Sequence, residues 1–205
     1  TRNSFFVGIV ATLLATALGT VAALGLSRPH MPFKAVLMAI LISPMIVPLI
    51  ITAAGMFFFY SKIGLTHTYL GLILAHTALG TPFVVITVTA TLTGFDTNLI
   101  RASQSLGADT MRTFFKVIMP LILPGVISGG LFAFITSFDE VVIVMFIGSV
   151  EQITIPKQMW AGLRQETSPV ILCMATCLVA LSIALLTTVE MLRRRSERLR
   201  GIKQR

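Results

Sequence analysis

Long apolar stretches alternate with short polar segments along the whole chain. Each stretch exceeds the roughly 20 apolar residues that a helix needs to cross the hydrocarbon core of a bilayer. Buried helices in a large soluble core are the alternative, but too little polar chain remains to cover such a core. The pattern therefore predicts an all-α integral membrane protein with five transmembrane helices. Their approximate bounds are 5–26, 35–60, 69–93, 120–147 and 169–192.

Prolines interrupt two of these stretches. Pro44 and Pro48 lie inside the second stretch, and Pro82 lies inside the third. Interior prolines kink helices and leave backbone carbonyls without their helical partners. A rigid scaffold tolerates such kinks, whereas a transporter can use them to shape a cavity or a hinge. The polar segment that follows the fourth stretch is long enough for a further short helix, which we expect around residues 157–163.

Composition supports the membrane assignment. Charged residues make up only 12% of the chain, hydrophobic residues make up 55%, and the mean hydropathy is +0.91. A soluble domain carries about 25% charged residues. The missing charge indicates that much of the chain lies in a solvent that requires no charge, which is a bilayer.

The distribution of charge predicts the topology. The net charge is +8, and twelve of the sixteen Lys and Arg residues lie in one alternating set of loops and in the tail 193–205. This is the positive-inside pattern, and it argues against a nucleic-acid-binding protein. It predicts a cytoplasmic C-terminus and, with five spans, an N-terminus outside. Because the chain begins at Thr1 without a signal peptide, we expect a preceding helix and six spans in the full protein.

The cytoplasmic loop between the third and fourth stretches predicts a helical hairpin. It reads GFDTNLIRASQSLGADTMRTFFKVIMPLILPG. Asp96 is a good N-cap for a helix that ends near Leu106, and Gly107 can adopt the left-handed conformation that terminates helices. Either Asp109 or Thr110 caps a second short helix. The two helices are expected to meet at a sharp turn on the membrane surface.

An acidic pair interrupts the fourth stretch. A buried carboxylate there costs at least a few kcal/mol on insertion scales, so Asp139 and Glu140 need a cavity or a partner. On a helix, adjacent residues point about 100° apart, which predicts different roles for the two. One or both could line a substrate path and attract a cation, with Phe138 and Phe134 as apolar neighbours. A buried ion pair, a helix cap or simple solvation are the alternatives.

The third stretch carries polar side chains whose role the sequence leaves open. His76 is either a residue of the path or a hydrogen-bonded packing residue. The threonines either bond back to helix carbonyls or line a polar cavity. They are Thr77, Thr81, Thr87, Thr89, Thr91 and Thr93.

The cytoplasmic loop resembles the coupling loop of permease subunits of ATP-binding-cassette (ABC) importers. The family pattern is Glu-Ala-Ala, three residues, Gly, nine residues, then Ile-x-Leu-Pro. Gly107 and Pro120 have the required separation of thirteen, and Ala102 matches the first Ala. Ser103 replaces the second Ala, and Arg101 stands where the family has Glu. The residues that the resemblance assigns to coupling are Arg101, Ala102, Ser103, Gly107, Ala108, Asp109 and Pro120.

Several further segments resemble the spermidine/putrescine branch of these permeases. They include LISPMIVPLIITAAG and LFAFITSFDEVVI, and together they cover most of the chain. The resemblance implies the compact type I permease fold, as one permease domain over 1–205 with a coupling loop at about 94–119. It also implies a bacterial inner membrane location and alternating access for a small cationic solute such as a polyamine.

The same resemblance implies the partners. A second permease subunit (a different chain rather than a copy), an ABC ATPase dimer and a periplasmic or surface solute-binding protein are expected. The chain has no phosphate-binding loop of the GxxxxGK[ST] type, so it is not itself the ATPase. We therefore expect no cofactor on this chain, with ATP and Mg on the partner ATPase.

Other functions remain as alternatives. The solute could be an aminophosphonate, an opine or an amino-acid derivative. An ion-coupled carrier or channel could use Asp139 or Glu140 as an ion site, although neither needs a coupling loop. A membrane enzyme is disfavoured because the sequence has no nucleophile–base arrangement and no metal-ligand spacing, and Cys173 and Cys177 are interpreted as packing residues.

Overall fold

The structure is a computed structural model that describes residues 2–28, 31–94, 96, 98–165 and 169–199. All regular secondary structure within these ranges is helical, as the sequence predicts. The helices are α1 (Arg2–Leu26), α2 (Lys34–Ile46), α3 (Leu49–Lys62), α4 (Tyr69–Thr93), α5 (Asn98–Ser105), α6 (Thr110–Thr113), a π-helical segment (Phe114–Ile118), α7 (Met119–Phe138), α8 (Val142–Ile147), α9 (Ile155–Gln165) and α10 (Pro169–Leu199).

Helices α1, α4 and α7 form the centre of the bundle. The first two run parallel, because the Tyr69 hydroxyl at the start of α4 lies 3.1 Å from Asn3 Oδ1 at the start of α1. The third runs antiparallel to them. Its last residue, Phe138, contacts Phe5 near the start of α1, with ring centroids 5.0 Å apart.

Small residues allow these three helices to approach closely. A Cβ added at Gly19 of α1 would lie 2.6 Å from Val84 Cβ of α4. A Cβ at Gly129 of α7 would overlap the hydroxyl of Thr87. Helices in lipid associate through close packing, and their interfaces are therefore rich in small residues such as these glycines.

The threonines of α4 mostly satisfy their hydroxyls within their own helix. The hydroxyls of Thr77 and Thr81 donate to the carbonyls of Ile73 and Thr77 at 2.7 Å, and Thr91 donates to Thr87 at 2.9 Å. Of the two roles left open by the sequence, these three side chains therefore adopt the bond back to the helix backbone.

The second apolar stretch is not one straight helix. It breaks at Val47 and Pro48 into α2 and α3, whose axes differ by 104°. Pro48 disfavours helical backbone at the preceding residue, and Val47 is extended, with φ −69° and ψ 134°. Pro44, by contrast, lies inside α2 without ending it. The expectation that both prolines lie within one helix is therefore wrong for Pro48.

The fourth stretch is also broken, contrary to the prediction of a helix to residue 147. Helix α7 ends at Phe138, and the separate six-residue helix α8 begins at Val142. A hydrogen bond marks the start of the new helix. Oε1 of Glu140 accepts from the backbone N–H of Ile143 at 2.9 Å, a donor that has no partner within α8.

Every predicted apolar stretch is helical in the structure, either as one helix or as two. Within the described ranges, three apolar helices are long enough to cross a membrane: α1, α4 and the continuous run Thr110–Phe138. The bent pair α2–α3 makes a fourth if it counts as one span. The fifth predicted stretch lies within the continuous helix α10, whose described apolar part is Leu172–Thr188.

The bundle has two distinct ends. The corner end carries the starts of α1 and α4, the end of α7 and the segment 149–155. The hairpin end carries the ends of α1 and α4 together with α5, α6 and the π-helical segment. The short helix expected around 157–163 is confirmed as α9 and lies beyond the corner end. This division places the coupling loop and the acidic pair at opposite ends of α7.

Candidate functional site

The coupling hairpin, residues 98–118, turns at Gly107. This glycine has φ +80°, a left-handed conformation that side chains with a Cβ rarely adopt. Two hydrogen bonds close the turn: the N–H of Gly107 donates to Gln104 at 2.9 Å and the N–H of Ala108 donates to Ser103 at 3.1 Å. A Cβ at Gly107 would meet no atom within 4 Å, so the need for glycine is conformational rather than steric.

Aspartates begin both helices of the hairpin. Asp96 Oδ1 accepts from the backbone N–H of Asn98 at 2.9 Å, and Asp109 Oδ1 accepts from the N–H of Arg112 at 2.7 Å. Each bond satisfies a donor that has no partner within its helix. Between the two candidates for the second cap, Asp109 and Thr110, the structure therefore selects Asp109.

A side-chain bond joins the two arms of the hairpin. The hydroxyls of Ser103 in α5 and Thr113 in α6 lie 2.6 Å apart. Thr113 is buried, and the sequence did not single it out. The replacement of the family's second Ala by Ser103 was the available signal, because a hydroxyl at a close helix contact requires a partner.

The sequence predicted that the second arm is a separate short helix, and this prediction is wrong. α6 continues through the π-helical segment into α7, so the arm is an extension of the membrane helix. Pro120, near the start of α7, has no N–H to donate to the carbonyl of Lys116, and its ring crowds that carbonyl. A wider π-helical turn over 114–118 relieves this crowding.

Large apolar side chains project from the hairpin. Leu106 is 89% exposed, Met111 is 64% exposed and Phe115 is 59% exposed. A depression of about 500 Å³ lies beside the turn, lined by Gly107, Asp109, Met111, Arg112, Phe115 and Lys116. A cluster of exposed apolar side chains next to basic ones is typical of a surface that binds another protein.

The predicted coupling residues differ in how exposed they are. Ser103 and Ala108 are half-buried. The others are exposed, namely Arg101, Ala102, Gly107, Asp109 and Pro120.

The acidic corner, residues 138–141, separates the two carboxylates. Asp139 follows the end of α7 and is exposed, whereas Glu140 is 7% exposed and caps α8. The two carboxylates therefore have different surroundings, and they lie at a break between helices rather than along one helix.

Aromatic rings stack behind the corner. The ring centroids of Phe134 and Phe138 lie 5.3 Å apart, and Phe138 also contacts Phe5 at 5.0 Å. Phe138 is buried, while Phe5 is 40% exposed. Sequence reasoning missed Phe5, because no spacing along the chain relates a residue at the start of α1 to the end of α7.

An outer clasp made by Asn3, Ser4 and Tyr69 holds the segment 151–155 at the corner end. The Asn3 amide donates to the carbonyls of Glu151 at 2.7 Å and Ile153 at 3.2 Å. Ser4 Oγ accepts from the N–H of Ile155 at 2.7 Å. These partners lie about 150 residues apart in the chain, so no local motif signals them.

His76 is a packing residue between α4 and α7. Its side chain is 1% exposed, and its Nδ1 lies 2.7 Å from Ser137 Oγ. A polar contact buried between two helices stabilises their association in lipid. Of the two roles open for His76, this position favours packing.

Residues 15–198 match the family described as the binding-protein-dependent transport system inner membrane component. The chain belongs to this family. The match covers α4, the coupling hairpin, the acidic corner and α8, which are the parts of the inner membrane component described above.

Polyamine permeases are among the similar relatives of this inner membrane component. It is 29% identical over 194 residues to the spermidine/putrescine transport system permease protein PotC of Haemophilus influenzae, covering 95% of this chain and 76% of that one. It is 27% identical to the Escherichia coli K12 protein of the same name, covering 94% and 73%. It is also 28% identical to the E. coli K12 putrescine transport system permease protein PotI, covering 86% and 65%.

Solved ABC transporter structures share the fold of the inner membrane component. A chain of the inward-facing MetNI methionine ABC transporter aligns with a TM-score of 0.67 at 19% identity, covering 99% of this chain and 94% of that one. A chain of an amino acid ABC transporter crystallised with histidines aligns with a TM-score of 0.68 at 16% identity, covering 94% and 90%. The chain therefore has the type I permease fold.

The described part of the inner membrane component contains no group of three or more His, Cys, Asp or Glu residues placed to hold a metal ion. Cys173 and Cys177 are exposed free thiols on α10. What the geometry offers is a protruding hairpin at one end and an exposed carboxylate beside aromatic rings at the other.

Proposed function

We propose that this inner membrane component is the permease subunit of an ATP-driven importer for a polyamine, either spermidine or putrescine. The observation that carries the proposal is Asp139, an exposed carboxylate at the corner of an otherwise apolar helix bundle. The names of the PotC and PotI relatives support the choice of solute. An aminophosphonate, an opine or an amino-acid derivative is the alternative.

Asp139 is the proposed point of attraction for the cationic solute. A polyamine is a chain of ammonium groups on an apolar linker, so it suits one carboxylate beside aromatic surface. Phe5, Phe134 and Phe138 supply that surface, with Phe5 the most exposed of the three. Glu140, which the sequence also placed on the path, has its carboxylate engaged at the start of α8 and is considered separately below.

The coupling hairpin is the proposed docking site of the ATPase. Leu106, Met111 and Phe115 are exposed at the end of the bundle that the positive-inside pattern assigns to the cytoplasm, and a groove on a soluble subunit would bury them. ATP and Mg belong to that partner, so this chain performs no hydrolysis. Arg101 is exposed where the family has Glu, so its contact with the ATPase differs in charge from that of typical members.

The proposed assembly contains a second, different permease chain and a solute-binding protein in a bacterial inner membrane. Helix α2 supports the first partner, because none of its residues is buried within this chain. Val36, Ile40 and Ile46 are among its exposed apolar side chains. The basic tail 193–205 is proposed to lie in the cytoplasm, where such tails are favoured.

The experiment that tests this function measures ATP hydrolysis by the assembly reconstituted in lipid with its binding protein. Spermidine, putrescine, an aminophosphonate and an opine are offered as solutes. We expect stimulation by a polyamine. Stimulation by another solute alone would replace the polyamine with that solute, and failure of any ATPase to copurify would favour an ion-coupled carrier or channel.

A further inference from the structure

Helix α8 is too short to hold itself in place. It has six residues, Val142–Ile147, and isolated helices below about 12 residues are marginal in water. Nevertheless Ile143, Val144 and Ile147 are each 0% exposed and pack in the cluster that includes Leu72 of α4. The position of α8 must therefore be set by packing and by what holds its two ends.

Glu140 holds the first end. Its Oε1 accepts from the N–H of Ile143, and the side chain is buried. The start of a helix has unpaired N–H groups and a partial positive charge, both of which favour a carboxylate. This arrangement accounts for the buried acid without a bound cation.

Lys157 holds the second end. Its Nζ donates to the carbonyl of Val144 at 3.2 Å, within the last turn of α8. The backbone N–H of His67 donates to the last carbonyl, that of Ile147, at 2.9 Å. Partial burial lowers the pKa of the Lys157 ammonium from its ordinary value, because water is removed from around it. The Val144 carbonyl replaces part of that water, and a cation near a helix C-terminus is favourable.

We propose that Glu140 and Lys157 are positioning residues that hold α8 from its two ends and so fix the corner at which Asp139 is exposed. Neither contacts the solute. The inference about Asp139 rests on the proposed function, whereas the hold on α8 does not.

Hydrogen exchange tests the hold on α8 without reference to any solute. The backbone amides of 142–147 are followed by mass spectrometry in the complete transporter in lipid nanodiscs. We expect Glu140→Leu and Lys157→Met each to raise their exchange rate at least tenfold. Glu140→Gln keeps an acceptor oxygen and should raise it less than threefold. Unchanged exchange in both Glu140→Leu and Lys157→Met would overturn the proposal, and if Glu140→Leu does not assemble, Lys157→Met alone decides.

A charge exchange distinguishes this arrangement from a direct ion pair. In the double variant Glu140→Lys with Lys157→Glu, a cation lies at the start of α8 and a carboxylate at its end. Both placements are unfavourable, because the start of a helix is partially positive and its end partially negative. We expect exchange in 142–147 at least as fast as in the single variants. Restoration of slow exchange would indicate that the two side chains act on each other, and would overturn the inference.

Transport kinetics test the consequence for the solute. Glu140→Gln should leave the KM for the stimulating solute within twofold of the unaltered protein, because Glu140 does not touch it. Asp139→Asn should raise that KM at least fivefold. An equal rise in both variants would overturn the positioning role of Glu140. If no solute stimulates the transporter, the proposed function fails while the hydrogen-exchange result still decides the hold on α8.

Discussion

The two ends of the helix bundle use their polar groups in opposite ways. At the hairpin end, polar side chains shape a turn that leaves Leu106 and Met111 largely exposed. At the corner end, the side chains of Asn3 and Glu140 form hydrogen bonds with the backbone of neighbouring segments. One end therefore presents exposed apolar side chains, and the other uses hydrogen bonds to hold neighbouring segments around the corner at which Asp139 is exposed.

The difference also concerns distance along the chain. The hairpin's bonds join residues within about a dozen positions of each other, such as Ser103 and Thr113. The outer clasp joins Asn3 to Glu151, 148 positions apart. A local structure forms with little loss of chain entropy, whereas a distant contact depends on the whole bundle being assembled. The predictions below address this contrast.

The largest effect is expected from Gly107→Val. A β-branched residue at φ +80° costs on the order of 1–2 kcal/mol and distorts the turn, so solute-stimulated ATP hydrolysis should fall at least tenfold. Gly64, at the corner end, is a matched control because it also has a positive φ, +71°, and open space at its Cβ. Gly64→Val should introduce similar backbone strain but leave solute-stimulated ATP hydrolysis unchanged. An equal fall in hydrolysis in both variants would show that the effect is not specific to the hairpin end.

Asp139→Asn should have the next largest effect. Loss of the negative charge should raise the KM for spermidine at least fivefold, with little change in maximal rate, because attraction rather than the conformational cycle is weakened. Glu151→Gln is the control, since Glu151 is an exposed acid of the same end. Uptake into vesicles at several salt concentrations provides the measurement. A salt-independent KM in the unaltered protein would contradict the electrostatic role of Asp139.

Asn3→Leu should loosen the outer clasp. It removes two bonds to the backbone of the segment 151–155 and one from Tyr69, each worth about 1 kcal/mol. Hydrogen exchange in 149–155 should rise roughly threefold to tenfold, while exchange in the coupling hairpin stays unchanged. Faster exchange in the hairpin as well would show that the two ends are not independent.

Ser103→Ala should have the smallest effect. It supplies the residue that the family pattern has at this position but leaves the buried Thr113 hydroxyl without its partner, at a cost of about 1 kcal/mol. Stimulated ATP hydrolysis should fall about twofold. Adding Thr113→Val removes the unpaired hydroxyl and should restore the loss. If the single change has no effect on hydrolysis or on thermal unfolding, the bond does not stabilise the hairpin.

Composition and local pattern determined the class of protein and the form of the hairpin. The low charge content indicates that the helices lie in a bilayer rather than in water. It therefore identifies a membrane protein without any knowledge of how the helices pack. Gly107 and Asp109 act on neighbouring backbone groups, so their roles in the turn and the cap follow from their positions in the chain. The same holds for the resemblance of this loop to the coupling loop of ABC permeases, which rests on residue spacing such as that of Gly107 and Pro120.

Tertiary structure decided where the apolar stretches break. Pro44 and Pro48 are the same residue type four positions apart, yet only Pro48 ends a helix. Hydropathy could not separate 120–138 from 142–147, because both are apolar. The second break depends on the hydrogen bond between Glu140 and the start of α8 and on the packing of α8 against α3 and α4.

The same reason explains the acidic corner. That Asp139 and Glu140 need different surroundings follows from their adjacency, but which one is buried does not. The answer depends on Lys157, Leu72 and Phe5, which reach the corner from other helices. Sequence specifies the interactions that a residue makes with its neighbours in the chain, and only the assembled bundle specifies those it makes with distant ones.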